Sequence, residues 1–138
     1  MRTVVDTPIW SLSFRRVRHT PDAQAIVLAL SELITSGDAV LLGAVRQEVL
    51  SGIGDEGRYR ELRDHLRSLP DAPVTRSDFE VAAQYFNDCR RHGIAATGTD
   101  MLLCAVSSRL DAPVFTLDGD FARYSVHLPV TIRGLGGR

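Results

Sequence analysis

A chain of 138 residues, 44% hydrophobic and 24% charged, is the size of one ordinary domain and can bury a core without disulfide or metal staples. That composition excludes a disordered or low-complexity chain, and no apolar run reaches the length of a membrane span. A net charge of −1 supplies no global attraction to nucleic acid, so any such binding must come from local patches.

Cys89 and Cys104 lack the spacing of a zinc site or a disulfide framework and read as small core residues. The opening Met1-Arg-Thr-Val-Val-Asp6 turns acidic before an apolar stretch of signal-peptide length develops, so a cytoplasmic protein is expected. All sixteen basic residues are arginine. Guanidinium suits bidentate phosphate contacts, yet a GC-rich coding sequence explains the bias more simply.

Thr3-Val4-Val5 is a β-branched run ending in Asp6, a buried first strand with a polar residue at its carboxyl end. Pro8 suits the opening turn of a helix whose apolar positions are Ile9, Trp10, Leu12 and Phe14. Arg15, Arg16, Arg18 and His19 end that helix, where positive charge complements the dipole. Over 21–36 the apolar positions 26, 30, 33 and 34 recur at helical spacing, with Gly37 as the stop. Residues 39–42 read as a second buried strand. Val45, Val49, Leu50 and Ile53 mark a helix that carries Glu48, and residues 55–69 form an amphipathic helix. Val74 is a candidate short strand, and Ser77 or Asp78 a cap for a helix through Phe79, Ala82, Ala83, Phe86 and Cys89. The next helix starts near Thr99-Asp100 and runs to Leu110. Residues 114–117 are a strand ending at Asp118, and 130–132 a last one before a Gly-rich tail. Trp10, Ile9, Phe14 and Phe86 are expected in the core. His65 and His92 are placed on charged helical faces, and His19 and His127 in loops.

Strands alternating with helices predict an α/β fold: a three-layer α/β/α domain with a central, mainly parallel sheet. A single domain over 1–133 with a short flexible tail at 134–138 is expected. Ligands in such sheets bind beyond the carboxyl ends of the strands, and that rule sorts the seventeen acidic residues. Asp6 and Asp118 each end a predicted strand, Glu48 follows the second strand in the helix it feeds, and Asp100 sits in a first helical turn. Four converging anions raise the cost of ionising one another, and a divalent cation resolves this. Oxygen ligands without histidine or cysteine suit Mg²⁺ or Mn²⁺, which can activate water and neutralise charge on a phosphodiester. Each acid also has an ordinary reading: Asp6 as a helix cap, Asp100 as a first-turn acid, Glu48 as an exposed helical acid, Asp118-Gly119 as a turn.

Four stretches, Val4-Val5-Asp6-Thr7-Pro8-Ile9-Trp10, Val45-Arg46-Gln47-Glu48-Val49-Leu50-Ser51-Gly52-Ile53, Thr99-Asp100-Met101-Leu102-Leu103-Cys104-Ala105 and Phe115-Thr116-Leu117-Asp118-Gly119-Asp120-Phe121, resemble in order and spacing the PIN-domain ribonucleases. Among these the chain is most similar to the VapC-type toxins of toxin–antitoxin systems. The resemblance implies that Asp6, Glu48, Asp100 and Asp118 are the catalytic, metal-holding quartet. It implies Asp120 as an auxiliary acid, and Thr7 and Thr116 as hydroxyls that orient carboxylates. The family typically has serine where Pro8 stands, so one such hydrogen bond is lost. It further implies RNA cleavage, homodimerisation and inhibition by a cognate antitoxin. Arg15, Arg16 and Arg18 are candidate phosphate contacts, though a solvated helix end is the simpler reading of each.

Three other readings also fit part of the pattern. Aspartyl-phosphate phosphatases and receivers place aspartates at strand ends but rely on a lysine, which this chain lacks. A stand-alone RNA-processing nuclease, or a non-catalytic module that only grips RNA or an antitoxin, would keep the fold. Retention of all four acids favours catalysis.

Overall fold

The computed structural model describes residues 1–15 and 19–134. Four short strands, β1 (Thr3–Val5), β2 (Ala39–Val40), β3 (Val114–Phe115) and β4 (Ile132–Arg133), lie in the order β2-β1-β3-β4, and every neighbouring pair is parallel. The helices are α1 (Thr7–Ser13), α2 (Pro21–Ser36), α3 (Gly43–Ser51), α4 (Glu56–Leu66), α5 (Arg76–Arg91), α6 (Gly98–Leu110) and α7 (Asp120–His127).

The central strand explains the layering. Val4 and Val5 point to opposite faces of the sheet, and both are fully buried, so helices must cover both sides. α6 packs on β1 and β3 with α5 against it, while α2 packs on β2 and on α1. Every residue of α6 from Met101 to Ser107 is buried, as expected of a helix enclosed on all sides. Its polar residue Ser107 is satisfied by donating to the Ala112 carbonyl at 2.6 Å. Helix ends follow local chemistry. Gly37 takes a left-handed φ of 78° at the end of α2, where a Cβ would be strained. Asp111 takes φ 50° at the end of α6, a conformation aspartate tolerates better than most residues.

The α/β class and parallel sheet match the sequence reading, but several boundaries move. Helix α1 ends at Ser13 with Phe14 as its cap, so Arg15 and His19 stand beyond the helix. Arg16 and Arg18 lie outside the described residues, as do positions 135–138 of the expected tail. β2 is two residues long because Leu42 already caps α3 in extended backbone, and Leu41 instead bridges Asp71. Val74 belongs to no strand. The cap of α5 is Thr75 rather than Ser77 or Asp78: its hydroxyl accepts from the Asp78 N–H while Asp78 accepts from the Thr75 N–H, a reciprocal capping box. The buried stripe of α5 runs through Asp78, Ala82 and Cys89, which leaves Phe79 and Phe86 exposed at 58% and 37%, so Phe86 is not core. Trp10 and Ile9 are buried as expected, and so are both cysteines. The last strand forms at 132–133 rather than 130–132.

Helix α7 is the element missing from the sequence reading. Asp118-Gly119 reads as a turn, but the chain enters a helix that buries Phe121 and Tyr124. His127 therefore ends a helix rather than lying in a loop, and its ring stacks on that of His92 at 3.9 Å.

Candidate metal centre

Asp6 is placed by the ladder. Its backbone N–H donates to the Phe115 carbonyl at 2.9 Å, so the side chain emerges where β1 ends, and the residue goes on to cap α1. The residue is 4% exposed. Oδ1 accepts from the Thr7 N–H at 2.8 Å and Oδ2 from the Thr116 hydroxyl at 2.7 Å. The capping reading and the site reading thus describe one carboxylate with two oxygens at work. Burial raises its pKa above the ordinary value; the two hydrogen bonds oppose this, and the charges of Asp118 and Glu48 add to it.

Thr116 ties the second acid to the first. A hydroxyl donates once and accepts more than once. That of Thr116 donates to Asp6 while accepting from the Asp118 N–H at 2.9 Å. This side-chain bond bends the backbone out of β3 after Phe115, so Asp118 stands three residues past the strand rather than at its end. Asp118 Oδ1 in turn accepts from the Asp120 N–H at 2.9 Å and opens α7.

Asp100 sits in the first turn of α6, where the Thr97 hydroxyl caps its N–H at 3.1 Å. Its Oδ2 accepts from the Tyr124 hydroxyl at 2.9 Å. Burial is the chief reason its pKa is raised to about 6, with the charges of Asp6 and Asp118 contributing. Burial and the Asp100 carboxylate also hold the Tyr124 phenol far above its ordinary pKa, so it stays a donor. Tyr124 was absent from the sequence reading because its helix was; the apolar spacing of Phe121, Tyr124 and Leu128 was the available signal.

Glu48 is exposed in the second turn of α3. Its Oε2 accepts from the Thr7 hydroxyl at 2.7 Å, so Thr7 links Glu48 to Asp6. The Asp120 carboxylate forms an ion pair with Arg123, and its backbone N–H donates to Asp118. Arg15 is exposed just beyond α1.

Asp6 therefore feels the charges of Asp118 and Glu48, and Asp100 those of Asp6 and Asp118, so the four acids gather around Asp6 at one edge of the sheet. Among the described residues no three His, Cys, Asp or Glu side chains close into a group that could hold a metal ion as they stand. The donor set nonetheless fits a hard divalent cation. It is all oxygen, and the one thiol close enough to feel it, Cys104, is pushed up to about 12 by burial and by the charges of Asp100, Cys89 and Asp6, so it stays protonated and does not compete as a ligand.

A parallel α/β domain with acids gathered at the carboxyl edge is the class that fold and site define. The PIN domain family matches residues 3–126, and the chain belongs to that family. Among solved structures it is similar to a chain in the crystal structure of FitAcB from Neisseria gonorrhoeae, with TM-score 0.76 and 18% identity over 99% of both chains. It is also similar to a chain in VapBC2 from Rickettsia felis bound to a DNA fragment from their promoter, with TM-score 0.70 and 15% identity over 96% of both. No curated protein matches it in sequence. At these identities the structural likeness speaks to fold.

Proposed function

We propose that this chain is a Mg²⁺- or Mn²⁺-dependent ribonuclease that hydrolyses RNA phosphodiester bonds as the toxin of a type II toxin–antitoxin pair. The observation that carries the reading is the buried Asp6 carboxylate at the end of β1, joined through Thr116 to Asp118 and through Thr7 to Glu48, with the Asp100 pKa raised by burial and then by the charges of Asp6 and Asp118. Burying the Asp6 carboxylate, with Asp100 half-buried beside it, costs stability unless a cation or a reacting group uses that charge.

In this reading Asp6 and Asp118 hold the metal directly, while Glu48 and Asp100 complete its shell or orient the attacking water. The cation supplies charge neutralisation on the phosphodiester and a lowered pKa for bound water. Thr7 and Thr116 fix the carboxylates, a task that otherwise costs ordering entropy at each turnover. Tyr124 does the same for Asp100. Asp120, committed to Arg123, is at most an auxiliary acid. The toxin assignment, with an antitoxin partner and a homodimer, is supported by PIN family membership, by the VapC-type motifs and by the VapBC2-like fold. Residues 1–133 act as one nuclease domain. No helix among the described residues is long and apolar enough to cross a membrane.

The test is cleavage of a cellular RNA pool with and without Mg²⁺, comparing wild type with Asp6→Asn. Wild type should cut only with the metal, and the variant should lose about a hundredfold or more of that rate. Equal cleavage by both proteins refutes the reading. A small neighbouring reading frame whose product co-purifies and suppresses cleavage would support the toxin assignment over a stand-alone processing nuclease.

A further inference from the structure

Beside the acid cluster, two adjoining clefts of about 200 and 220 Å³ share Phe14, Arg15, Arg58 and Leu62, and one of them runs on to Glu48. They form one open groove between the end of α1 and helix α4. We propose that this groove is a nucleotide subsite in which Arg15 and Arg58 hold a backbone phosphate of single-stranded RNA and the Phe14–His65 ring pair stacks the adjoining base. The proposal rests on the ribonuclease reading and adds to it a place for the substrate strand.

Arg58 is the best-placed residue. It lies in the first turn of α4, and its Nη2 donates to the Phe14 carbonyl at 3.0 Å. That bond braces the end of α1 and uses one of five guanidinium donors, so the head group is held in place with donors to spare. Arg15 is exposed, and its guanidinium has no hydrogen bond or ion pair among the described residues. Glu48 and Glu61 line one cleft each, whereas both arginines line both. Charge therefore favours an anion only at the shared middle of the groove, which is where the proposal seats the phosphate.

The rings supply the second half. Phe14 and His65 stand 6.2 Å apart at 37°, inside the range of paired rings, on a groove open to solvent. An aromatic platform next to arginines is how proteins grip unstacked bases. The groove is open rather than enclosing, which suits a strand passing through better than a buried metabolite. Because the groove leads to Glu48, a strand seated here would run on toward the acid cluster.

The test measures binding without cleavage. In an Asp6→Asn background, a fluorescent single-stranded oligoribonucleotide is titrated by anisotropy over a range of salt. Arg15→Ala should weaken binding about tenfold and reduce the salt slope by about 0.7, the share of one phosphate on a single strand. Phe14→Leu should weaken it about fivefold or more while leaving the slope unchanged. Arg58→Lys keeps the charge and should retain most of the affinity, and unfolding midpoints confirm that each variant is folded. Wild-type affinity and slope in folded Arg15→Ala and Phe14→Leu overturn the subsite, and would mark the groove as a seat for a protein segment instead. Absence of RNA binding in the background protein overturns it as well. RNA binding with these dependences, together with no metal-dependent RNA cleavage by the wild-type protein, overturns the nuclease reading and leaves the subsite standing.

Discussion

Replacing Asp100 with asparagine should stabilise the metal-free protein at neutral pH and not in acid. The folded carboxyl titrates near 6 and the ordinary value is 3.8. Between these values the folded state holds the proton more tightly than the unfolded chain, so the stability this group contributes is full below 3.8. It is lost as pH rises to about 6, and is constant above. At 1.36 kcal/mol per tenfold change, the separation corresponds to at most about 3 kcal/mol. Asp100 is only partly buried, and solvent screening reduces this to about 1–1.5 kcal/mol. Asparagine removes the charge while its amide oxygen can still accept from Tyr124, so that gain should appear on Asp100→Asn. The assay is urea unfolding in EDTA at pH 4, 5.5 and 7. The variant should match wild type at pH 4 and exceed it by about 1 kcal/mol at pH 7, with the order reversing in saturating Mg²⁺ as the wild type gains from binding. A gain that is equal at pH 4 and 7, or no gain at pH 7, would refute the idea that burial and neighbouring charges strain this carboxylate.

Thr116→Val removes the hydroxyl shared by Asp6 and Asp118 and should reduce Mg²⁺ affinity or cleavage about 10- to 100-fold, read by metal titration of activity; an unchanged titration contradicts the bridging role. Tyr124→Phe deletes a hydrogen bond that lowers the Asp100 pKa, so the acid limb of the pH–rate profile should move to higher pH, with about 1 kcal/mol of stability lost. Arg109 pairs with the buried Asp78 at 2.8 Å and holds its pKa down, so Arg109→Ala should cost about 1–3 kcal/mol at pH 7. That cost should shrink as pH falls below the ordinary 3.8 and through the lower value at which the paired Asp78 takes up a proton, which urea midpoints at pH 3 and 7 would begin to show.

What could be read along the chain was whatever is governed by neighbours in sequence. β1, the helix from Pro21 with its Gly37 stop, and the buried run of α6 all carry their pattern within a few residues, and so does Asp6 as the polar end of an apolar strand. Strand lengths were misjudged because hydrophobicity continues past the point where side chains capture the backbone: Leu41-Leu42 is apolar but serves a bridge and a helix cap, and Thr116 diverts the chain after Phe115. Helix α7 was hidden by an Asp-Gly pair whose local preference is a turn, while its helical state comes from burying Phe121 and Tyr124 against the rest of the fold.

The sequence by itself determined the class of fold, since apolar periodicity dictates which segments are buried, and it nominated four acids by their place near strand ends and by family resemblance. Only the tertiary structure decided how those acids are joined. The Thr116–Asp6 bond spans 110 positions, Thr7–Glu48 spans 41 and Tyr124–Asp100 spans 24. Such contacts leave no periodic trace, because a hydrogen bond depends on where the packed sheet and helices bring two side chains together. The same holds for the groove where Arg58, in a helix far along the chain, reaches back to Phe14.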